Sequence, residues 1–203
     1  MRTWPLCLFL LVNSAGLAQA VERKHLVMSF AGGGGQLNLF SDRKDIAASG
    51  LVCGAFRAAF GYAISDKWSL GIHYDRIGTA ELQEGVTGSD RLHVTTYLLA
   101  ATFRPWNKGR SALQCEMAVG PTAAALFPID SRLPYTNQGT ALALSVNYLH
   151  MLNRTLGWFV AGDQVTSSSN ELVVDGGQVN PDGRISRLQW NSQRFTAGLV
   201  VRF

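Results

Sequence analysis

The amino-acid sequence predicts an all-β chain, a closed antiparallel transmembrane β-barrel of about eight strands. Three observations carry this. Charged residues make up 16% of the chain, well under the roughly 25% usual for soluble domains. Beyond the N-terminus no stretch is apolar enough, over about 20 residues, to cross a bilayer as a helix. The rest divides into segments of period-2 alternation bounded by Gly, Asp, Asn and Ser clusters, the pattern of strands joined by turns.

The N-terminus reads as an export signal over residues 1–20. Arg2 supplies a positive start and Trp4 to Val12 an apolar run. Ala18-Gln19-Ala20 gives the small-x-small pattern that a signal peptidase accepts. The apolar run is too short to stay behind as a helical anchor. Cys7 lacks the small residues that precede a lipidation site, so no lipid attachment is expected. Cleavage between Ala20 and Val21 leaves residues 21–203, a length that suits one barrel domain.

Strands are expected at 24–38, 50–64, 68–78, 92–104, 111–125, 140–152, 156–166 and 190–203. The last is clearest. Phe195, Ala197, Leu199, Val201 and Phe203 share one face; Arg194, Thr196, Gly198, Val200 and Arg202 share the other. An arginine facing lipid at mid-membrane costs about 2–4 kcal/mol, so the first set faces lipid and the second the lumen or the interface. Strand 68–78 sets Trp68, Leu70, Ile72 and Tyr74 against Ser69, Gly71, His73 and Asp75. Strand 50–64 sets Phe56, Phe60, Tyr62 and Ile64 against Arg57 and small residues. Strand 111–125 sets Leu113, Cys115, Met117 and Val119 against Gln114, Glu116 and Gly120. Strand 140–152 sets Leu142, Leu144, Val146 and Tyr148 against Ala143, Ser145 and Asn147. The facing of 92–104 and 156–166 stays open. A soluble barrel packs its apolar face inward; here the inward sets are small, polar or charged, which is the membrane arrangement.

Connections alternate. Those near residues 65–67, 105–110 and 152–155 are tight, and those near 41–48, 79–91, 127–138 and 167–189 are long. Short periplasmic turns and long outer loops are the rule for membrane barrels. Trp68 and Trp106, with Tyr62 and Phe103 nearby, fall on the turn side, where an aromatic girdle belongs.

On the export signal, the alternating strands and the ending Arg194 to Phe203, the chain resembles the small bacterial outer-membrane barrels of the OmpA/OmpX and opacity-protein type. The resemblance spans residues 21–203. It implies a place in the outer membrane of a Gram-negative bacterium, with outer-membrane lipids as neighbours. It also implies that Phe203 is the assembly signal read by the barrel-insertion machinery. One such fold hosts many functions.

The net charge is +4, with the basic residues scattered. Without a dense stripe or interleaved aromatics, no nucleic-acid partner is expected. Cys53 and Cys115 either pair in an oxidising compartment or stand as small apolar strand residues; the second reading is preferred. There is no CxxC, HExxH or His-rich cluster, so no metal or cofactor is expected. Gly32 to Gly35 is not followed by the Lys-Ser/Thr of a phosphate loop; strand glycines permit close packing or a kink.

Arg57, His73, Asp75, Glu116, Asp163, Arg194 and Arg202 are the candidate lumen polar network. Eight strands enclose a space that side chains just fill, and charges there must pair. Glu116 is therefore expected near at least one of Arg57, Arg194 and Arg202. The expected role is non-enzymatic, structural or in surface interaction with an unidentified ligand. A narrow, passive, porin-like pore is the alternative. A membrane-embedded lipid hydrolase is a third reading. It needs a serine beside a histidine base and a carboxylate. His25, His73, His93 and His150 have no serine at a recognisable spacing, Ser167 to Ser169 have no histidine nearby, and the deacylase-type His-x-Ser-Asn is missing. No catalytic residue is therefore assigned, although a Ser–His pair at the lipid-facing rim would favour the hydrolase.

Protein recovered from the outer membrane should begin at Val21. N-terminal sequencing checks this, and a chain that keeps Met1 contradicts the export reading.

Overall fold

The computed structural model describes residues 25–42, 47–79, 91–127, 135–174 and 186–203. The expected export signal and its cleavage point lie outside them. The strands are β1 (Leu26–Ser41), β2 (Ala48–Ala63), β3 (Trp68–Thr79), β4 (Arg91–Lys108), β5 (Ser111–Phe127), β6 (Tyr135–Met151), β7 (Leu156–Ser167), β8 (Asn170–Val174) and β9 (Ser186–Arg202). Each strand from β1 to β6 pairs antiparallel with the next. β7 then pairs with β9, and β9 returns to β1. The result is a closed eight-stranded antiparallel barrel.

β8 is not a ninth stave. It pairs with β6 and β9, the same two neighbours as β7, and so continues β7 in one slot of the wall. Ser167 stands opposite Ala141 and Leu172 opposite Asn137. Five steps on one strand (167 to 172) therefore match four on the other (141 to 137), which is a β-bulge. Serine hydroxyls satisfy the backbone around it. Ser168 Oγ accepts from the Thr140 N–H at 3.0 Å, and Ser167 Oγ accepts from the Trp190 N–H at 2.8 Å. The serine run is structural here.

The segments expected to be loops at 127–138 and 167–189 include the start of β6, all of β8 and the start of β9. The reason is a change of phase along the strands. In the lower wall, bulky apolar residues face outward: Trp68, Leu70, Leu144, Val146, Phe195 and Leu199 are exposed. Higher up, the outward face turns polar at Gln36, Arg76, Gln164 and Gln193, all exposed. There the inward face becomes apolar, with Leu37, Ile77, Leu92, Val165, Leu188 and Trp190 buried in one cluster. The upper barrel thus packs as a soluble barrel does; the bulky apolar outward face read from the sequence belongs to the lower wall, and the polar and charged inward face chiefly to the middle layer. The open facings are settled too. Leu92, Val94, Leu98 and Thr102 of β4 and Phe159, Ala161 and Asp163 of β7 point inward.

Closure uses glycine. A Cβ at Gly33 or Gly35 would fall on the carbonyl oxygens of Phe195 and Gln193, and one at Gly198 on that of Phe30. All three lie on the β1–β9 seam, where the backbones approach too closely for a side chain. A Cβ at Gly32 meets open space. Gly35→Ala should therefore lower stability by about 1–3 kcal/mol, as overpacking does, while Gly32→Ala is neutral or slightly stabilising. Urea titration of the two variants refolded into detergent separates them.

Candidate functional site

The middle of the lumen holds a layer of buried charge. Arg57 of β2 stands opposite Asp75 of β3, and its Nε and Nη2 donate to the two Asp75 oxygens at 2.8 and 3.4 Å. Its Nη1 crosses the barrel to Asp163 Oδ1 of β7 at 3.1 Å and lies 3.9 Å from Glu116 Oε1 of β5. From β9, Arg194 Nη2 donates to Asp75 Oδ2 at 3.2 Å and lies 3.9 Å from Asp163 Oδ2. His73 Nδ1 is 3.3 Å from Glu116 Oε1.

Neighbouring hydroxyls complete the layer. Ser145 donates to Asp163 Oδ1, Thr196 donates to Asp163 Oδ2 at 3.4 Å, and Thr102 donates to Glu116 Oε2 at 3.2 Å. Every member is at most 5% exposed. Two guanidinium groups thus face three carboxylates, and strands on opposite sides of the barrel are tied through Arg57.

Apolar layers lie on both sides of these charges. Towards the periplasmic turns Val27, Leu149, Met151, Phe159 and Val200 are buried together. The Leu37–Trp190 cluster closes the other side. The chemistry this supports is cohesion: desolvated charges of opposite sign, each beside a partner.

Six of the seven network residues read from the sequence come together. Arg202 does not join them; it lies at the periplasmic end near Arg104. Arg104 is buried and donates to the Asp66 carbonyl at 2.9 Å and Ser69 Oγ at 3.2 Å, clasping the β2–β3 turn. Sequence reading missed Arg104 because the phase of β4 was ambiguous, although Thr102 shares its parity. It named Ser145 and Thr196 only as inward residues; their register opposite Asp163 and Ala161 is what brings both to Asp163. Cys53 is buried inside and Cys115 exposed outside, on opposite faces of the wall, and both are free thiols. Among the described residues no group of His, Cys, Asp and Glu is arranged to hold a metal.

One pairing was invisible in the sequence. Ser111 Oγ lies 2.9 Å from His150 Nδ1 on the outward face near the periplasmic turns, where Ser111 stands opposite His150 across the β5–β6 ladder. This is the pair that would favour a hydrolase. Among the described residues no carboxylate bonds to His150, the third group that a Ser–His–acid arrangement uses to orient the ring.

The fold is the closed eight-stranded antiparallel barrel found in small bacterial outer-membrane proteins. Among solved structures it is similar to Neisserial surface protein A, with TM-score 0.59 and 10% identity over 90% of this chain and 100% of that one. It is also similar to the outer membrane protein OprG from Pseudomonas aeruginosa, with TM-score 0.54 and 13% identity over 89% and 95% of the two chains. No protein-family model and no curated protein matches the sequence.

Removing one member of the layer leaves its partners buried with fewer counter-charges. Asp75→Ala should destabilise the barrel by about 3–5 kcal/mol, and the double variant Arg57→Met/Asp75→Leu by clearly less. Urea midpoints of the refolded proteins measure both.

Proposed function

We propose that this protein is a non-enzymatic outer-membrane barrel with a closed lumen, serving as a structural and surface-interaction element. The carrying observation is the charge layer held between two apolar layers. A pore needs a continuous wet path, and the described lumen residues are packed against one another. The role then falls to the outside. Above the lipid-facing belt the strands run on as a barrel with Gln36, Arg76, Gln164 and Gln193 outward and the Leu37–Trp190 cluster inside. That rigid stem would carry the outer connections clear of the membrane towards a ligand.

Phe203 fits the role of assembly signal. Its ring is 65% exposed at the end of the lipid-facing row Phe195, Leu199, Val201, and its N–H donates to the Leu26 carbonyl at 2.8 Å, beside the closing seam. Insertion machinery reading this ending is part of the proposal.

The test is conductance in planar bilayers together with labelling by a fluorophosphonate probe. The folded protein should show no stable single-channel steps, and Ser111 should not be labelled. Discrete channels in the native protein favour the narrow pore. Labelling that is lost in Ser111→Ala favours a hydrolase. Either result overturns this reading.

A further inference from the structure

Near the periplasmic turns one outward row crosses four strands. Lys108 of β4 stands opposite Ser111 of β5, Ser111 opposite His150 of β6, and His150 opposite Trp158 of β7. Tyr148 O–H donates to Ser111 Oγ at 3.0 Å. Ser111 Oγ in turn lies 2.9 Å from His150 Nδ1, a contact in which either group donates according to the imidazole tautomer. In the tautomer where Ser111 donates, the ring hydrogen is on Nε2, which no contact of this group uses. The ring rests against Trp158, with centroids 5.7 Å apart.

Cations surround this row. Lys108, Arg110 and Arg154 are exposed. Arg110 Nη1 donates to the Leu152 carbonyl at 3.2 Å, which draws the β4–β5 turn against the β6–β7 turn that carries Arg154. Neither turn contains a carboxylate; Asp66, the one acid among the described turn residues at this end, lies in the β2–β3 turn. The aromatic side chains beside the row, Trp106, Tyr148 and Trp158, are partly exposed on the lipid-facing wall, in the place of an interfacial girdle.

We infer that this row is a binding site for the phosphate headgroup of an anionic phospholipid in the periplasmic leaflet. Lys108, Arg110 and Arg154 supply the opposite charge, and His150 Nε2–H supplies a directed donor. Trp158 and Tyr148 lie where the glycerol and first acyl carbons of such a lipid would rest. The occupant is a lipid rather than a free anion because the row sits on the outward wall between boundary aromatics, where phosphate arrives attached to acyl chains. This assignment explains why a serine, a histidine and a tyrosine are joined on a face otherwise built from apolar residues, without requiring them to do acyl chemistry.

Native mass spectrometry of the folded protein tests it, using equimolar phosphatidylglycerol and phosphatidylcholine of equal chain length. Phosphatidylglycerol should be retained preferentially, and each cation changed to Gln should lower the preference by about fivefold. Lys108→Gln/Arg110→Gln/Arg154→Gln should bind the two lipids nearly equally. His150→Phe keeps the stacking, removes the donor, and should lower the preference severalfold. Arg76→Gln, on the opposite side of the lipid-facing belt, should leave it unchanged. Equal retention of both lipids by the native protein overturns the inference. So does an unchanged preference in a triple variant that keeps normal heat-modifiability. If that variant does not fold, the single variants Arg110→Gln and His150→Phe decide. Full displacement of phosphatidylglycerol by millimolar inorganic phosphate would show an anion site without a lipid component, and overturns it as well.

Discussion

The whole structure answers to the closing of its last strand on its first. Inside a bilayer an unpaired backbone N–H or carbonyl costs several kcal/mol, and a sheet with open edges exposes a row of them. The β1–β9 ladder runs from Val27 opposite Arg202 to Ser41 opposite Leu188. That length of pairing needs the two backbones close together, and the glycines at positions 33, 35 and 198 are where closeness leaves no room for Cβ. A run of glycine inside a strand lowers local β propensity, yet here it lies on the ladder that makes every other strand tenable. Closure also sets the bore, and the bore decides what can fill the middle.

With eight strands, the interior is narrow enough for a side chain from one wall to reach the other. Arg57 does this. It is cross-strand neighbour to Asp75 and meets Asp163 across the lumen. A shorter side chain would leave Asp163 to Arg194 and the two hydroxyls, and the tie from β2 to β7 would be lost. Burying such groups is expensive, and a well-packed apolar layer of the same volume is often as stable or more so. What ions add is register. Arg57 meets Asp75, and Asp163 meets Arg194, only in the pairing observed, and a one-residue slip would turn each of them towards lipid. The layer therefore acts as a check on strand alignment while the barrel closes.

Much of this was legible in the sequence because lipid imposes a strict parity. In β9, odd positions from Phe195 to Phe203 are mostly bulky and apolar while Arg194 and Arg202 fall on even positions, and the structure keeps that division. The same parity placed Arg57, Asp75 and Glu116 inside. It could not say how high each residue stands, so Arg202 was grouped with charges from which it lies apart. Above the belt the parity holds and the polarity of the two faces reverses. Leu188 and Trp190 point inward on the same even positions that carry Arg194 lower down. Read with a single rule, Tyr135 to Gly139 and Ser186 to Gln189 look like loop, and for that reason the expected strands at 140–152 and 190–203 begin later than β6 and β9 do. The switch from Trp190 to Arg194 on one face is itself the sequence mark of the membrane boundary. The Ser111–His150 contact had no such mark, since the two residues meet through strand register and not through spacing.

The two ends of the barrel therefore solve different problems. On the outer side the wall leaves lipid by turning its polar residues outward and its apolar residues in, so the barrel can continue into water with a core of its own, and the bulge at Ser168 and Ser169 lets β7 run on as β8 without breaking the wall. On the periplasmic side there is no comparable continuation. The turns at 65–67, 109–110 and 152–155 are short, and the chain reverses almost at the boundary, where Trp68 packs on Phe103 at 4.9 Å between centroids and Trp158 lies between Tyr148 and His150. A wall that ends at the boundary is positioned there by its side chains alone, through aromatics that prefer the interface and cations that prefer phosphate. The outer end, freed from that task by its own core, is the part of the molecule whose connections can vary without disturbing how the barrel sits in the membrane.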